Sequence, residues 1–304
     1  MGPADPELQI TVCIATRNRW KLLPAALSSV LEQAGTVPEV IVVDDASCTV
    51  PPQSLLSLMN HAGVRYVRHP QHRGLAAARN MAIRMARGAY FAFCDDDDTW
   101  PPHLLNALLA EMLSADGVRA TIGIHGNESQ CARLGRHHRI SGLFRAGITP
   151  PVSSQLYRTD LLRGIGGYDE RIRAGVDHDL WVRLLDPDPV VAVSWGSGAN
   201  VNNDPLRSQI TNNEDQRRRA IEEALQIWRP SIEKTLGVAF YEHFLSEYRR
   251  YLNYDFFKKA IRRGQYLSAI RRITEKGVCQ RVAAGLFARL TGIEHCGPMR
   301  RVRP

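Results

Sequence analysis

Short β-rich runs alternate with helical periodicity along the first hundred residues of the chain. The runs predict four strands, at Thr11–Ala15, Val40–Val43, Val64–Val67 and Tyr90–Phe93. Between them, apolar residues recur at helical spacing over positions 22–31, 55–59 and 75–85. Strands that alternate with helices form a mostly parallel sheet flanked by helices. The pattern therefore predicts an α/β, Rossmann-like fold.

Carboxylates directly follow two of these predicted strands. Asp44 and Asp45 come after VIVV, and the run Asp95–Asp98 comes after YFAFC. Ligands of such sheets bind beyond the carboxyl ends of the strands, so both groups should face one crevice. Four adjacent acids repel one another unless a hard cation such as Mg²⁺ or Mn²⁺ lies among them. We therefore expect a metal-bridged phosphate site, although an acid at the start of a helix is also favourable and would explain one of the four.

The second half of the chain is less regular. Pro101 and Pro102 open a predicted helix, and a strand is predicted at Thr121–Gly126. The segment Asn127–Pro151 has weak periodicity and is expected to be a mobile loop. A further helix is predicted to start at Leu180, and amphipathic stretches predict a mostly helical region after residue 213.

Charge is unevenly distributed along the 304 residues. The net charge is +8, and the region from Glu214 to the end holds 19 Lys and Arg against 10 Asp and Glu. Such a positive surplus is compatible with binding to nucleic acid, to an acidic membrane surface or to an anionic substrate, or simply with a solvent-exposed helix face. No nucleic-acid-binding module is recognisable, so nucleic acid is not expected as a partner. Peripheral membrane contact and a homo-oligomer stay open.

No apolar stretch approaches the length of a transmembrane helix, and the N-terminus has no leader-like pattern. A cytoplasmic location is therefore expected. The six cysteines form no CxxC pair, which favours free thiols over disulfides or zinc.

Four segments stand out across roughly residues 10–185: TVCIATRNR, VIVVDDAS, HRGLAAARNMAIRMARGAYFAFCDDDDTWPPHLL and GGYDERIRAGVDHDLW. Together, and in this order, they resemble the motifs of family 2 glycosyltransferases, nucleotide-sugar enzymes of the GT-A fold. The resemblance implies a GT-A domain at 1–213, with a nucleotide-binding half at 10–100 and an acceptor half at 101–213. Residues 214–304 would form a basic C-terminal helical region.

The resemblance implies roles for the residues of a donor site. Asp97 matches the direct metal ligand of the DxD motif, with Asp95 and Asp96 assisting at metal, water or ribose; Asp98 would only start a helix. Asp45 matches the residue that binds the base, and Asp44 would orient its loop. Further nucleotide-sugar contacts are implied for Thr16, Arg17, Arg79 and Arg207, although Arg79 could also be an ordinary surface arginine of its helix.

The segment VDHDLW should supply the catalytic base that removes the proton from the acceptor hydroxyl. Asp177 is favoured over Asp179, which could instead cap the helix at Leu180. Val176 stands where the family usually has Glu, so a supporting carboxylate is missing. His178 and Trp181 are assigned to the acceptor side, where Trp181 is expected mainly to pack in the core, with stacking on a sugar ring as the lesser alternative.

The function expected from this resemblance is a metal-dependent, inverting transfer of a sugar, favouring a UDP-sugar donor. The acceptor would be a natural-product or glycan intermediate with a free hydroxyl, and the cofactor Mn²⁺ or Mg²⁺. Two rivals remain. Asp95-x-Asp97-x-Thr99 also fits haloacid-dehalogenase-like phosphatases, and the missing Glu at position 176 would suit a nucleotide-sugar-binding protein with impaired catalysis.

Overall fold

The computed structural model describes residues 9–125, 135–202 and 214–262. These residues divide into two compact units. The first contains residues up to 140 together with 150–202, and the second contains 141–149 together with 214–262. The domain boundaries expected from the sequence stay a prediction.

Within the described residues, the first unit is built on one sheet of eight strands in the order β3-β2-β1-β4-β7-β5-β8-β6. Strands β1 to β5 and β8 share one direction, and only β6 and β7 are reversed. The mostly parallel α/β fold is confirmed. The strands are β1 (Ile10–Thr16), β2 (Glu39–Asp44), β3 (Arg65–Arg68), β4 (Tyr90–Asp95), β5 (Val118–Ile124), β6 (His137–Arg139), β7 (Gln155–Arg158) and β8 (Val190–Trp195).

The helices that flank this sheet pack with their apolar faces against buried strands. β1 and β4 are almost entirely buried, as expected for central parallel strands covered on both faces. The described helices of this unit are α1 (Leu23–Leu31), α2 (Gln53–His61), α3 (Leu75–Met85), α4 (Leu104–Met112), α6 (Thr159–Gly164) and α7 (Val176–Leu184); α5 (Ile140–Arg145) belongs to the second unit apart from its first residue. Leu27 of α1 and Leu105 of α4 are fully buried in the core under β1 and β4.

Strand register brings the ends of three neighbouring strands level. Thr16 of β1 pairs with Asp44 of β2, and Ala15 pairs with Asp95 of β4. The carboxyl ends of parallel strands lie at one edge of a sheet. The acidic groups after β2 and β4 therefore lie on either side of the end of β1, as the sequence predicts.

Three local expectations are wrong. The segment expected to be a mobile loop contains β6 and α5 in its described part, residues 135–151, while 127–134 lie outside the described residues. α4 begins at Leu104, so Asp98 does not start it. α7 begins at Val176, four residues before the predicted start, because Gly175 is its N-cap.

In the second unit, α8 (Glu214–Leu236) and α9 (Val238–Arg262) pack together. Arg217 pairs with Asp255 at 2.8 Å, and Arg249 pairs with Glu222 at 2.6 Å. The Phe144 ring lies 5.4 Å from that of Phe244 of α9. Helical structure after residue 213 is confirmed as far as residue 262. None of the helices in the described ranges combines the length and apolar character needed to cross a membrane.

Candidate active site

The acidic run after β4 folds back as a turn, in which the Asp98 amide donates to the Asp95 carbonyl at 3.0 Å. Asp96 is 1% exposed and accepts a 2.6 Å hydrogen bond from Thr16 Oγ1. Arg19 donates to Asp96 through Nη1, and through Nη2 to Asp97 Oδ2 at 2.8 Å. One guanidinium thus bridges two neighbouring carboxylates and offsets part of their charge.

Burial strongly affects protonation in this turn. It raises the pKa of Asp96 to about 6, although the Arg19 charge and the Thr16 hydrogen bond oppose the shift. Burial also raises the pKa of Asp95, against the opposing charge of Arg79. These two acids hold protons more tightly than ordinary carboxylates do.

Asp98 joins two loops. Its carboxylate accepts hydrogen bonds from Ser153 Oγ at 2.7 Å and from the Asn202 amide at 3.0 Å, and its residue is 3% exposed. Thr99 and Asn200 form an adjacent β-bridge. The expectation that Asp98 serves only a helix start is therefore corrected to a role in fixing the segment before residue 203.

Arg79 of α3 is buried and bridges the two acidic groups of the site. Its Nη2 donates to Asp95 Oδ1 at 2.8 Å, and its Nη1 donates to Asp177 Oδ1 at 2.6 Å. The guanidinium carbon lies 5.4 Å from the ring centroids of both Phe93 and Tyr168. With 1% exposure it is not the surface arginine of the alternative interpretation. The two hydrogen bonds orient the Arg79 guanidinium towards carboxylates of the protein rather than towards a nucleotide, the contact that the sequence predicts.

The two acids of α7 differ sharply in exposure. Asp177 has a side chain that is 51% exposed beside Arg79. Asp179 is 1% exposed, and its Oδ2 accepts the Asp169 amide at 2.7 Å. The alternative of Asp179 as the N-cap is wrong, since Gly175 holds that position. Of the two candidate bases, only Asp177 can reach an acceptor in this arrangement.

The acceptor-side residues are largely internal. Trp181 is 1% exposed, and its Nε1 donates to Gln155 Oε1 at 3.1 Å. It cannot stack on a sugar there, so the acceptor-side assignment of Trp181 is wrong, and the core packing expected as its main role is observed. His178 is partly buried, and burial lowers its pKa against the nearby charge of Asp177, which keeps the imidazole neutral at neutral pH.

Asp45 holds the segment that precedes α3. Its carboxylate faces His69 Nδ1 at 2.8 Å and His72 Nδ1 at 2.6 Å, and it accepts the Arg73 and Gly74 amides at 2.8 and 2.7 Å. A carboxylate offers about four lone-pair positions, and four donors fill them. The contact with the nucleotide base that the sequence predicts for Asp45 would require one of these four hydrogen-bond donors to move away. His72, with a side chain that is 41% exposed, is best placed to do so.

The remaining predicted contacts divide into three cases. Asp44 is fully buried and accepts from the Ser47 amide at 2.8 Å and from Tyr66 Oη at 3.0 Å, which suits the expected orienting role. Arg17 is partly buried, and its Nε has no hydrogen-bond partner among the described residues. Arg207 lies outside the described residues.

The acidic turn suits a divalent cation only in part. Its carboxylate oxygens are ligands that Mg²⁺ and Mn²⁺ accept, yet within the described ranges no group of three His, Cys, Asp or Glu could hold a metal alone. Arg19 and Arg79 already supply positive charge to Asp95, Asp96 and Asp97. The residues therefore fit a cation that shares its shell with diphosphate oxygens, with Asp97 and Asp95 as candidate ligands.

Sequence reasoning missed Arg19. The signal was present, because a buried run of four acids demands cations and TRNR supplies Arg19 just beyond the end of β1. Tyr168, whose ring faces Arg79, and the histidines beside Asp45 carried no such signal. They reach the site only through folding.

The fold defines the class of protein first. S. aureus TarS 1-349 in complex with UDP aligns with a TM-score of 0.57 at 15% identity, covering 95% of this chain and 93% of that one. TarS 1-349 in complex with UDP-GlcNAc aligns with the same TM-score at 17% identity, covering 80% and 72%. These likenesses confirm a GT-A-type fold.

The family follows from sequence. The model of glycosyl transferase family 2 matches residues 11–165, more than half of the chain, and the chain belongs to that family. Succinoglycan biosynthesis protein ExoO of Rhizobium meliloti is 34% identical over 120 residues, covering 40% of this chain and 33% of the relative. Pre-mycofactocin glycosyltransferase of Mycobacterium tuberculosis is 27% identical over 198 residues, covering 61% and 40%. The chain thus spans 33–40% of the length of these curated relatives.

Proposed function

We propose that this chain is an inverting glycosyltransferase that moves a sugar from a UDP-sugar to a hydroxyl of an acceptor with help from a divalent cation. Family membership supports the reaction class, and the UDP and UDP-GlcNAc complexes of TarS favour a UDP donor. The observation that carries the proposal is the half-exposed Asp177 carboxylate, held by a buried arginine that also holds Asp95.

Asp177 acts as the general base in this proposal. Its Oδ1 is fixed by Arg79, so the carboxylate is oriented while half of its side chain remains open to an incoming hydroxyl. The base takes the hydroxyl proton as that oxygen attacks the anomeric carbon. Attack opposite the leaving diphosphate inverts the configuration. Val176 removes a neighbouring carboxylate, and Arg79 supplies the positioning that Asp177 needs.

The donor binds at the ends of β1, β2 and β4. Thr16, Arg17 and Asp45 line its nucleotide portion, and Asp95 to Asp97 lie where the diphosphate departs. A bound Mg²⁺ or Mn²⁺ would neutralise charge on the leaving diphosphate. Arg19 provides part of that positive charge from the protein itself, and Arg207 is a further phosphate contact in this proposal.

The test separates catalysis from donor binding. Asp177→Asn should lower the rate of UDP release from a UDP-sugar in the presence of acceptor by at least about 100-fold, because the general base is lost. UDP affinity, measured by calorimetry with Mn²⁺, should stay within twofold of that of the unaltered protein. Asp160→Asn, at a carboxylate that is 67% exposed, serves as the control and should leave both quantities unchanged.

Undiminished turnover in Asp177→Asn would contradict the assignment of the base. If the unaltered protein bound UDP but showed no turnover, the result would instead favour a nucleotide-sugar-binding protein without catalysis.

A further inference from the structure

A cleft of about 390 Å³ opens beside the candidate active site, between the segments that precede α3 and α7. We call it the arginine cleft, lined by residues 71–73 on one wall and by 169–171 and 173 on the other. It is defined within the first compact unit. Its volume lies at the lower end of the range of small-ligand pockets, roughly 300–1,000 Å³, which is enough for one sugar-sized group.

Both walls of the arginine cleft are fixed by buried acids. Asp45 holds the first wall through His72 and the Arg73 amide. Asp179 holds the second wall through the Asp169 amide at 2.7 Å. Asp179 therefore has a structural role, since it is too buried to act as the catalytic base. Both walls are thus anchored by acids of the protein itself.

Side chains also cross between the walls. Arg73 Nη2 donates to Glu170 Oε2 at 2.7 Å, and Arg173 Nη1 donates to the Arg73 carbonyl at 2.8 Å. Gly74 has a φ of +100°, and a Cβ added there would lie 3.0 Å from Arg173 Nη1. The Arg173 guanidinium therefore lies close to the backbone of the first wall.

The charges lining the arginine cleft do not cancel. Arg171 is paired with Asp169, and Arg73 with Glu170. Arg173 has no carboxylate within 4.0 Å among the residues that the structure describes, and one of its five N–H donors is used by the Arg73 carbonyl. A guanidinium with remaining donors recognises carboxylate and phosphate oxygens. The net local charge therefore selects an anion.

The arginine cleft lies close to the candidate base along the chain. Arg173 precedes Asp177 by four residues, so their Cα atoms are at most roughly 14 Å apart. A group bound to Arg173 and a hydroxyl at Asp177 can thus belong to one acceptor molecule.

We propose that the arginine cleft binds a negatively charged substituent, carboxylate or phosphate, on a sugar-sized unit of the acceptor, with Arg173 as the main contact. This inference rests on the proposed glycosyl transfer and specifies its acceptor as an anionic carbohydrate. In this proposal the donor lies at the strand ends and the anion of the acceptor lies between the walls, and the two sites meet at Asp45.

The test uses the full chain and three probes of similar size: glucuronate for a carboxylate, glucose 6-phosphate for a phosphate, and glucose as the neutral control. Affinities are measured by ligand-observed NMR titration with and without UDP. At least one anionic probe should bind about tenfold more tightly than glucose, and the better of the two identifies the anionic group. Arg173→Gln should weaken that probe by about five- to tenfold, while Arg173→Lys should weaken it less.

Arg87→Gln is the matched control, because Arg87 is 74% exposed and pairs with Glu39 outside the arginine cleft. It should leave every affinity unchanged, and Arg173→Gln should leave UDP affinity within twofold. Equal binding of glucose and the anions, or unchanged anion binding in Arg173→Gln, would overturn the inference while leaving the proposed function intact. A parallel loss of UDP affinity in Arg173→Gln would reassign the cleft to the donor. If UDP did not bind, the proposed function and the acceptor assignment would fall together.

Discussion

At the residue scale, Arg79 is the side chain on which the candidate active site depends most. It brings a full positive charge into the protein and is surrounded by two aromatic rings and two carboxylates. A buried ion pair contributes little net stability, but the loss of one partner leaves uncompensated charge. Arg79 therefore matters less as a source of stability than as the group that keeps Asp95 and Asp177 in place.

Replacing Arg79 by Gln should lower the free energy of unfolding by about 3 kcal/mol, the lower end for a broken buried pair, because both carboxylates are partly exposed. UDP release should fall with it, since Asp177 loses its anchor. Denaturant unfolding and a turnover assay measure the two effects. Arg84→Gln on the same helix, with a side chain that is 58% exposed, should change neither. An Arg79→Gln protein with unaltered turnover would refute the positioning role.

Asp96 should leave a signature in the pH dependence of stability. Its raised pKa means that the folded protein binds this proton more tightly than the unfolded chain does. Its contribution to stability is therefore fully present only below about pH 4 and is lost as pH rises through about 6. The total change is up to about 3 kcal/mol for this one group.

Asp96→Asn should reduce the decline between about pH 4 and 7, leaving the part that Asp95 contributes, and thermal unfolding across this range measures the difference. Asp160→Asn, at an exposed surface acid, should retain the decline. If the Asn variant kept the full slope, another group would be its source.

At the element scale, the start of α7 decides where the candidate base points. Gly175 is the N-cap with φ of 76° and ψ of 26°, a left-handed conformation that side chains with a Cβ adopt at a cost. Val176 then begins the helix, and Asp177 lies in its first turn. The predicted later start would have left Asp177 in a loop, where its direction would be unspecified.

Gly175→Ala should cost about 1–2 kcal/mol of folding stability and reduce turnover more than it reduces UDP affinity, since the strain falls next to Asp177. Gly164→Ala is the control: Gly164 has no positive φ, and nothing lies within 4 Å of an added Cβ. It should be neutral or slightly stabilising. Equal losses in the two variants would show that glycine content, rather than this conformation, matters.

Elements also differed in how well the sequence predicted them. β1, β2 and β4 were predicted because each is a continuous apolar run, as buried parallel strands are. β7 was missed because it has only four residues, and its sequence QLYR carries no alternation. β7 is nonetheless central, since it pairs antiparallel with both β4 and β5. Its place depends on partners far away in sequence.

At the scale of the whole molecule, donor binding should be visible as stability. UDP with Mn²⁺ at about 100 times its dissociation constant should stabilise the folded protein by about 2.7 kcal/mol through mass action. Thermal unfolding with and without EDTA tests this directly. Asp97→Asn should lose most of the effect of Mn²⁺ while retaining some stabilisation by UDP, because Arg19 still offers positive charge. A UDP shift that is indifferent to EDTA would contradict metal dependence.

The basic surplus of the chain also belongs to this scale. Residues 214–262, which include α8 and α9, hold 10 Lys and Arg against 8 Asp and Glu, whereas residues 263–304 hold 9 against 2. Most of the surplus thus falls in a segment outside the described residues. Membrane contact, a homo-oligomer and a cytoplasmic location stay predictions of the sequence.

The sequence by itself determined the parallel half of the sheet and the acidic turn that ends it, because apolar runs and charge density are local properties. It also indicated the family and pointed to Asp177. Only the tertiary structure decided which acids are open and which are buried, as in the contrast between Asp177 and Asp179. The contacts that bury these acids, that place Arg79 between two carboxylates and that form the arginine cleft join segments up to about a hundred residues apart in sequence. No local sequence pattern specifies contacts over such separations.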